Sequence, residues 1–182
     1  MNRIFLRPLK EEDINENYLS WFDDEEVTRF LEVRGNSLTR EKVIEHLNLG
    51  LETKSYYIYA ICLNENKEHI GNLKIGPIDE RHKVSDLVTV IGDRKYWGQG
   101  YGSEAIRLGI ELAFEKHDIR KLHASIYSDN ENSKKAYTSA GFKIEAVLKN
   151  QFILHGKYLD QILVSCFNPK FHKNGIDSSM NL

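Results

Sequence analysis

The order of hydrophobic patterns predicts a mixed α/β (α+β) domain, a single twisted, mostly antiparallel sheet of about seven strands with flanking helices. Three observations predict it. Short alternating or continuous apolar runs of strand length are interleaved with amphipathic helical runs. A polar pentad, Asn64-Glu65-Asn66-Lys67-Glu68, separates two such strands as a hairpin connection. One long helical pattern then follows the hairpin meander as a crossover, beginning in a glycine-rich turn.

Residues 3–7 alternate up to Pro8 and read as a strand. Two short helical patterns follow, over 11–22 and 25–31, with Trp21, Phe22, Val27, Phe30 and Leu31 as their apolar positions. Thr39 is placed to cap a helix running to Leu51, in which Val43, Leu47 and Leu51 recur every fourth residue. Strands are predicted over 55–63, 69–76 and 84–91, the long helix over 100–116, a strand over 121–127 and a helix over 130–139. Two last strands span 142–148 and 158–167. Residues 1–168 form one domain in this reading, and 169–182, polar and rich in Asn, Lys and Ser, form a flexible tail.

Composition narrows the function. With 41% hydrophobic and 29% charged residues among 182, the chain reads as an ordinary globular domain. A net charge of −2 argues against general nucleic-acid binding, which calls for a basic excess. Apolar runs are too short for a membrane span or a signal peptide, so a cytoplasmic location is expected. Cys62 and Cys166 sit in strand-like runs and read as reduced, buried thiols. The seven histidines show no metal spacing, and no metal is expected. Asp23-Asp24-Glu25-Glu26 reads as an exposed helix start.

The informative segment is Trp97-Gly98-Gln99-Gly100-Tyr101-Gly102, where a strand gives way to the long helix. Glycine permits positive φ and close backbone approach, and free amides at a helix start favour a phosphate or diphosphate. A plain strand-to-helix turn is the alternative reading. A Walker loop is excluded because no Gly-Lys-Ser/Thr follows, and the spacing is not that of a dinucleotide fold. Within the helix, Ala105, Ile106, Gly109, Ile110 and Ala113 share a face, with Gly109 suited to close packing on a sheet. Glu104, Arg107, Glu111 and Glu115 are expected to point away from it.

Together with Asn130-x-x-Ser133-x-x-x-Tyr137-x-x-x-Gly141-Phe142 downstream, this segment resembles the GNAT superfamily of N-acetyltransferases. The family signature is Gln/Arg-x-x-Gly-x-Gly/Ala between the fourth strand and third helix; here Trp97 stands in the Gln/Arg place, as in the branch that includes ribosomal-protein and amino-sugar acetyltransferases. The Trp21–Val27 opening and the Gly156–Asp160 ending also resemble that branch, so the likeness covers residues 3–167. The resemblance implies acetyl-CoA as co-substrate. Its pyrophosphate would lie on Gly98, Gln99, Gly100, Tyr101, Gly102 and Ser103, and its pantetheine arm along Val90, Ile91 and Gly92. It further implies that Asn130 contacts CoA, although an N-cap role suits Asn equally. Tyr137 would act as general acid to the CoA sulfur, a core tyrosine being the alternative.

The base is open between Glu32, Asp86 and His155. Neutralising a lysine-like amine at pH 7 costs about 4.6 kcal/mol and an α-amine about 1.4 kcal/mol, so the lack of an obvious base favours a low-pKa amine. The acceptor is expected to be a small amine, such as a nucleotide-linked amino sugar of the pseudaminic-acid type, or else a peptide N-terminus. A non-catalytic acyl-CoA-binding module is the reading from another class. No nucleic acid or membrane partner is expected, and the protein would be a monomer or homodimer.

Overall fold

The computed structural model describes residues 2–31 and 38–172. Its seven strands are β1 (Ile4–Pro8), β2 (Tyr57–Leu63), β3 (His69–Asp79), β4 (Val84–Ile91), β5 (Lys121–Tyr127), β6 (Lys143–Leu154) and β7 (Lys157–Phe167). They form one sheet in the order β1-β2-β3-β4-β5-β7-β6. Every neighbouring pair is antiparallel except β4 and β5. The parallel pair exists because helix α4 (Tyr101–Lys116) carries the chain back across the sheet between these strands.

Helices cover both faces. α4 and α5 (Glu131–Ser139) lie over a core that includes Ile61, Leu73, Leu87, Ile106, Leu122 and Val164. On the opposite face, α1 (Glu16–Asp23), α2 (Glu25–Thr28) and α3 (Arg40–Thr53) bury Tyr18, Trp21, Phe22, Val43 and Leu47 against Ala60 and Cys62 of β2. The helix expected over 11–22 is broken: a 3-10 turn at Glu11–Asp13 ends before Asn15, whose side chain accepts from Tyr18 N–H and starts α1 afresh. Asp24 caps α2 in the same way, which accounts for the acidic cluster.

Three departures from the sequence expectations have local causes. β6 continues to Leu154 rather than ending near residue 148, because His155 (φ 48°) and Gly156 (φ 77°) make a two-residue turn with both φ positive. Glu104 is buried, not solvent-facing: its carboxylate accepts from Arg3 and Ile4 N–H at 2.6 and 3.3 Å and from Arg3 Nε at 3.0 Å, tying β1 to the first turn of α4. The segment from 169 opens with a short helix α6 (Pro169–His172), anchored where Asn168 Nδ2 donates to Ile119 O; the remainder of the expected tail lies outside the described residues. Gly109 behaves as expected, since an added Cβ would lie 2.5 Å from Leu73 of the sheet.

Three half-buried histidines bear on stability. Burial is the main cause lowering His46, His69 and His117 below the ordinary 6.5. Each is therefore neutral in the fold and protonated more readily in the unfolded chain. Their contribution is complete above about pH 6.5 and is lost as pH falls through the window below it. Urea midpoints measured from pH 8 to 5 should fall on the acid side, and His69→Gln should flatten part of that fall.

Candidate active site at the split between two parallel strands

β4 pairs with β3 along most of its length, but with β5 through only Val84↔Lys121, Ser85↔Leu122 and Asp86↔His123. Past that point the two strands diverge, and β4 from Leu87 to Ile91 has an unpaired edge. Backbone groups alternate along a strand, so every second residue addresses this gap. Leu87 O accepts from Tyr137 Oη at 2.7 Å, and Ile91 O accepts from Trp97 Nε1 at 2.8 Å. Thr89, between them, therefore turns its N–H and C=O into the gap.

Of Val90, Ile91 and Gly92, the last lying just past the end of this strand, only Ile91 faces the gap. Gly92 N–H donates to Ile70 O at 2.9 Å, and Val90 O lies so close to Gly71 that a Cβ there would sit 2.2 Å from it. Both are turned toward β3. No local motif marks Thr89; alternation back from Ile91, the last residue of the strand, is the signal that points to it.

The turn itself is held open. A 3-10 turn at Arg94–Tyr96, capped by Asp93, leads into Trp97, whose bond to Ile91 O pins the loop to the strand. Gly98 (φ 71°) and Gly100 (φ 83°) take left-handed conformations, and Gly100 is the N-cap of α4 without a capping side chain. No acceptor among the described residues takes the N–H groups of residues 98–103. Arg3 holds the loop from outside, donating to Gln99 O at 3.0 Å and stacking over Tyr101 at 4.3 Å. The result is a fixed concavity of amides at a helix start, with the chemistry of an anion site.

Tyr137 projects from α5 to the apex of the split. It is 5% exposed, and burial holds its phenol well above the ordinary value, so it stays protonated at neutral pH. Thr89 Oγ1 beside it is buried without a hydrogen bond of good geometry. Asn130 is the N-cap of α5, accepting from Ser133 N–H at 3.1 Å.

The base candidates separate. Glu32 lies outside the described residues. His155 sits in the exposed β6–β7 turn, ten residues from Ser165, the partner of His123; at about 3.3 Å per residue that is roughly 33 Å along the strand. Asp86 lies at the apex, on the sheet face opposite Tyr137, with Oδ1 2.6 Å from His123 Nδ1. Asp86 and His123 line an open cleft of about 810 Å³ together with Ile78, His82, Arg120 and Lys121, among others. The other end of this face carries an aromatic wall: Tyr127 stacks on Phe152 at 4.0 Å and meets Phe30 at 5.5 Å. Tyr56 and Tyr59 are core residues bound to His46 and His117. Among the described residues no group of three or more His, Cys, Asp or Glu is arranged for a metal, and no helix is long and apolar enough to cross a membrane.

Residues 3–143 match the family model for the acetyltransferase (GNAT) domain. The chain belongs to this family. It is an N-acetyltransferase, of a family that uses acetyl-CoA. An uncharacterized N-acetyltransferase, p20, from Bacillus licheniformis is 25% identical over 172 residues, covering 93% of this chain and 95% of that one. The fold is shared with spermidine N-acetyltransferase from Vibrio cholerae, solved with CoA and spermine (TM-score 0.84, 16% identity, 94% of this chain and 99% of that). It is shared too with ribosomal-protein-S5-alanine acetyltransferase from Vibrio fischeri (TM-score 0.79, 19% identity, 92% and 94%).

The two glycines of the turn can be told from the helical one. An added Cβ at Gly100 would meet nothing nearer than 3.5 Å, so Gly100→Ala tests backbone strain and should lower stability by about 1–2 kcal/mol. An added Cβ at Gly102, inside the helix, would lie 3.9 Å from Ala136, and Gly102→Ala should raise stability by about 0.5–1 kcal/mol. Urea denaturation of both variants checks the contrast.

Proposed function

We propose that this enzyme transfers the acetyl group of acetyl-CoA to a small primary amine by direct attack within a ternary complex. The observation that carries the reading is the continuity of the uncapped amides at residues 98–103, the open β4 edge and the Tyr137 phenol at the apex. A diphosphate suits the amides, an extended amide-bearing arm suits Thr89 and Ile91, and a thioester then reaches the point where Tyr137 ends. The geometry suits the chemistry at both ends of the transfer. A protonated, water-shielded phenol can give a proton to the departing thiolate, and the Thr89 amide, beside that phenol on the open edge, can donate to the carbonyl oxygen as it gains charge.

The acceptor would enter from the opposite face, where Asp86 and His123 stand at the head of the cleft. Lys74, Arg120 and Lys121 lie on this side against Asp79 and Asp86, with Lys121 bound to Glu145 at 2.5 Å. That balance gives a polycation little to bind. It supports an amine on a neutral or anionic carrier, such as a nucleotide-linked amino sugar, rather than a polyamine. The open trough shape also accommodates a peptide, so a protein N-terminus is the second reading; both acceptors have amines of low pKa.

Tyr137→Phe should keep the fold by circular dichroism and lower kcat on the order of 10²-fold in a CoA-release assay. Unchanged turnover would remove Tyr137 as the acid. Product detection with a UDP-linked amino sugar, an alanine-terminated peptide and spermidine decides the acceptor. Spermidine should be the slowest, and its preference would overturn the charge argument.

A further inference from the structure

We infer that His123 is the general base of the transfer and that Asp86 is its positioning residue. This rests on the acyl-transfer reading above and adds to it a proton acceptor on a strand that no sequence motif marks.

Pairing between β4 and β5 ends at the Asp86↔His123 pair, so these two side chains border the gap where an acyl group would meet an amine. Both project on the face opposite Tyr137, whose oxygen is bound to the next residue, Leu87. The acid and the base thus stand on opposite sides of one strand edge, so the proton taken from the amine and the proton given to the thiolate are handled at separate places. His123 Nδ1 is 2.6 Å from Asp86 Oδ1. A carboxylate oxygen and a ring nitrogen that close share a hydrogen, which leaves Nε2 as the lone-pair nitrogen. Both side chains are partly exposed, at 41% and 35%, and both line the cleft, so Nε2 has access to an incoming amine.

The step balances. The amine nitrogen attacks the thioester carbon and a C–N bond forms. Its N–H proton passes to His123 Nε2. The C–S bond breaks and the thiolate takes the proton of Tyr137 Oη. Solvent then removes the proton from His123 and returns one to Tyr137, leaving an amide and CoA thiol. The Asp86 carboxylate steadies the imidazolium between these events.

The charges facing His123 are few. Asp86 comes from β4, Lys74 and Asp79 from β3, and His82 from the β3–β4 turn. Lys121 adjoins it on its own strand and Arg120 just before that strand, Lys121 being paired with Glu145 of β6, and β7 presents the uncharged Ser165.

The test uses the full-length enzyme with the UDP-linked amino sugar and the alanine-terminated peptide as acceptors. In His123→Gln, acetyl-CoA affinity by calorimetry should be unchanged while kcat falls about 10²-fold. The wild-type rate should decline on the acid side of neutrality, where imidazoles take up a proton, and that limb should vanish in His123→Gln. Asp86→Asn should lower kcat with the limb retained. Turnover within threefold of wild type in His123→Gln, with the limb intact, overturns the proposal. An independent measurement covers the case in which neither acceptor reacts. In 15N-histidine NMR of the protein alone, one imidazole should be the Nδ1–H tautomer with a low-field proton. That signal should be absent from His123→Gln and altered in Asp86→Asn. If it is missing from the wild type, or unmoved by both substitutions, the assignment fails whatever the acceptor.

Discussion

Most of the site depends on one constraint: β4 and β5 are hydrogen-bonded for three residue pairs and no further. A parallel ladder that continued would satisfy the edge of β4 and leave no polar groups to offer a ligand. Because it stops, Leu87, Thr89 and Ile91 face a gap, and unpaired backbone groups away from bulk water demand partners. Tyr137 supplies one from the protein and Trp97 another. What remains at Thr89 is the part of the edge still able to bind something extended.

The surrounding structure keeps the gap from closing. α4 packs onto the sheet through Gly109, so tightly that a methyl group would collide with Leu73. Its first turn is anchored by the buried Glu104, which gathers Arg3 and the start of β1. On the far side, β5 runs its whole length against β7, which draws it away from β4. The amides at the head of α4 are thereby held at the end of the open edge, so an anion site and a strand edge meet at a fixed angle. The same divergence separates the two faces. Tyr137 reaches the apex from the face that carries α4 and α5, and Asp86 and His123 from the opposite face, which gives the proposed transfer distinct routes for donor and acceptor.

Much of this was legible in the residues. The strand and helix order, the crossover, the glycine turn and Tyr137 are local patterns: alternation, helical period, and small residues where φ must be positive. Asn130 as a cap and Thr39 before its helix follow from side chains that compete for backbone amides. The misreadings share another cause. Glu104 carries the solvent-facing pattern of its helix, yet it meets Arg3, 101 positions earlier, and only that distant partner makes its burial favourable. Val90 belongs to the right strand and Gly92 follows its end, but which residues address the gap depends on the register with β3. His123 is one of seven histidines with no distinguishing neighbour in sequence; it becomes distinct only opposite Asp86.

By itself, then, the amino-acid sequence determined the family, the class of donor and the helix start able to hold a diphosphate, because those are properties of short contiguous segments. The tertiary structure alone decided where the sheet splits, which backbone groups are left open, and which charged side chains meet on the acceptor face. These are set by pairing between strands 37 residues apart, and a single-residue shift in that pairing would exchange every face.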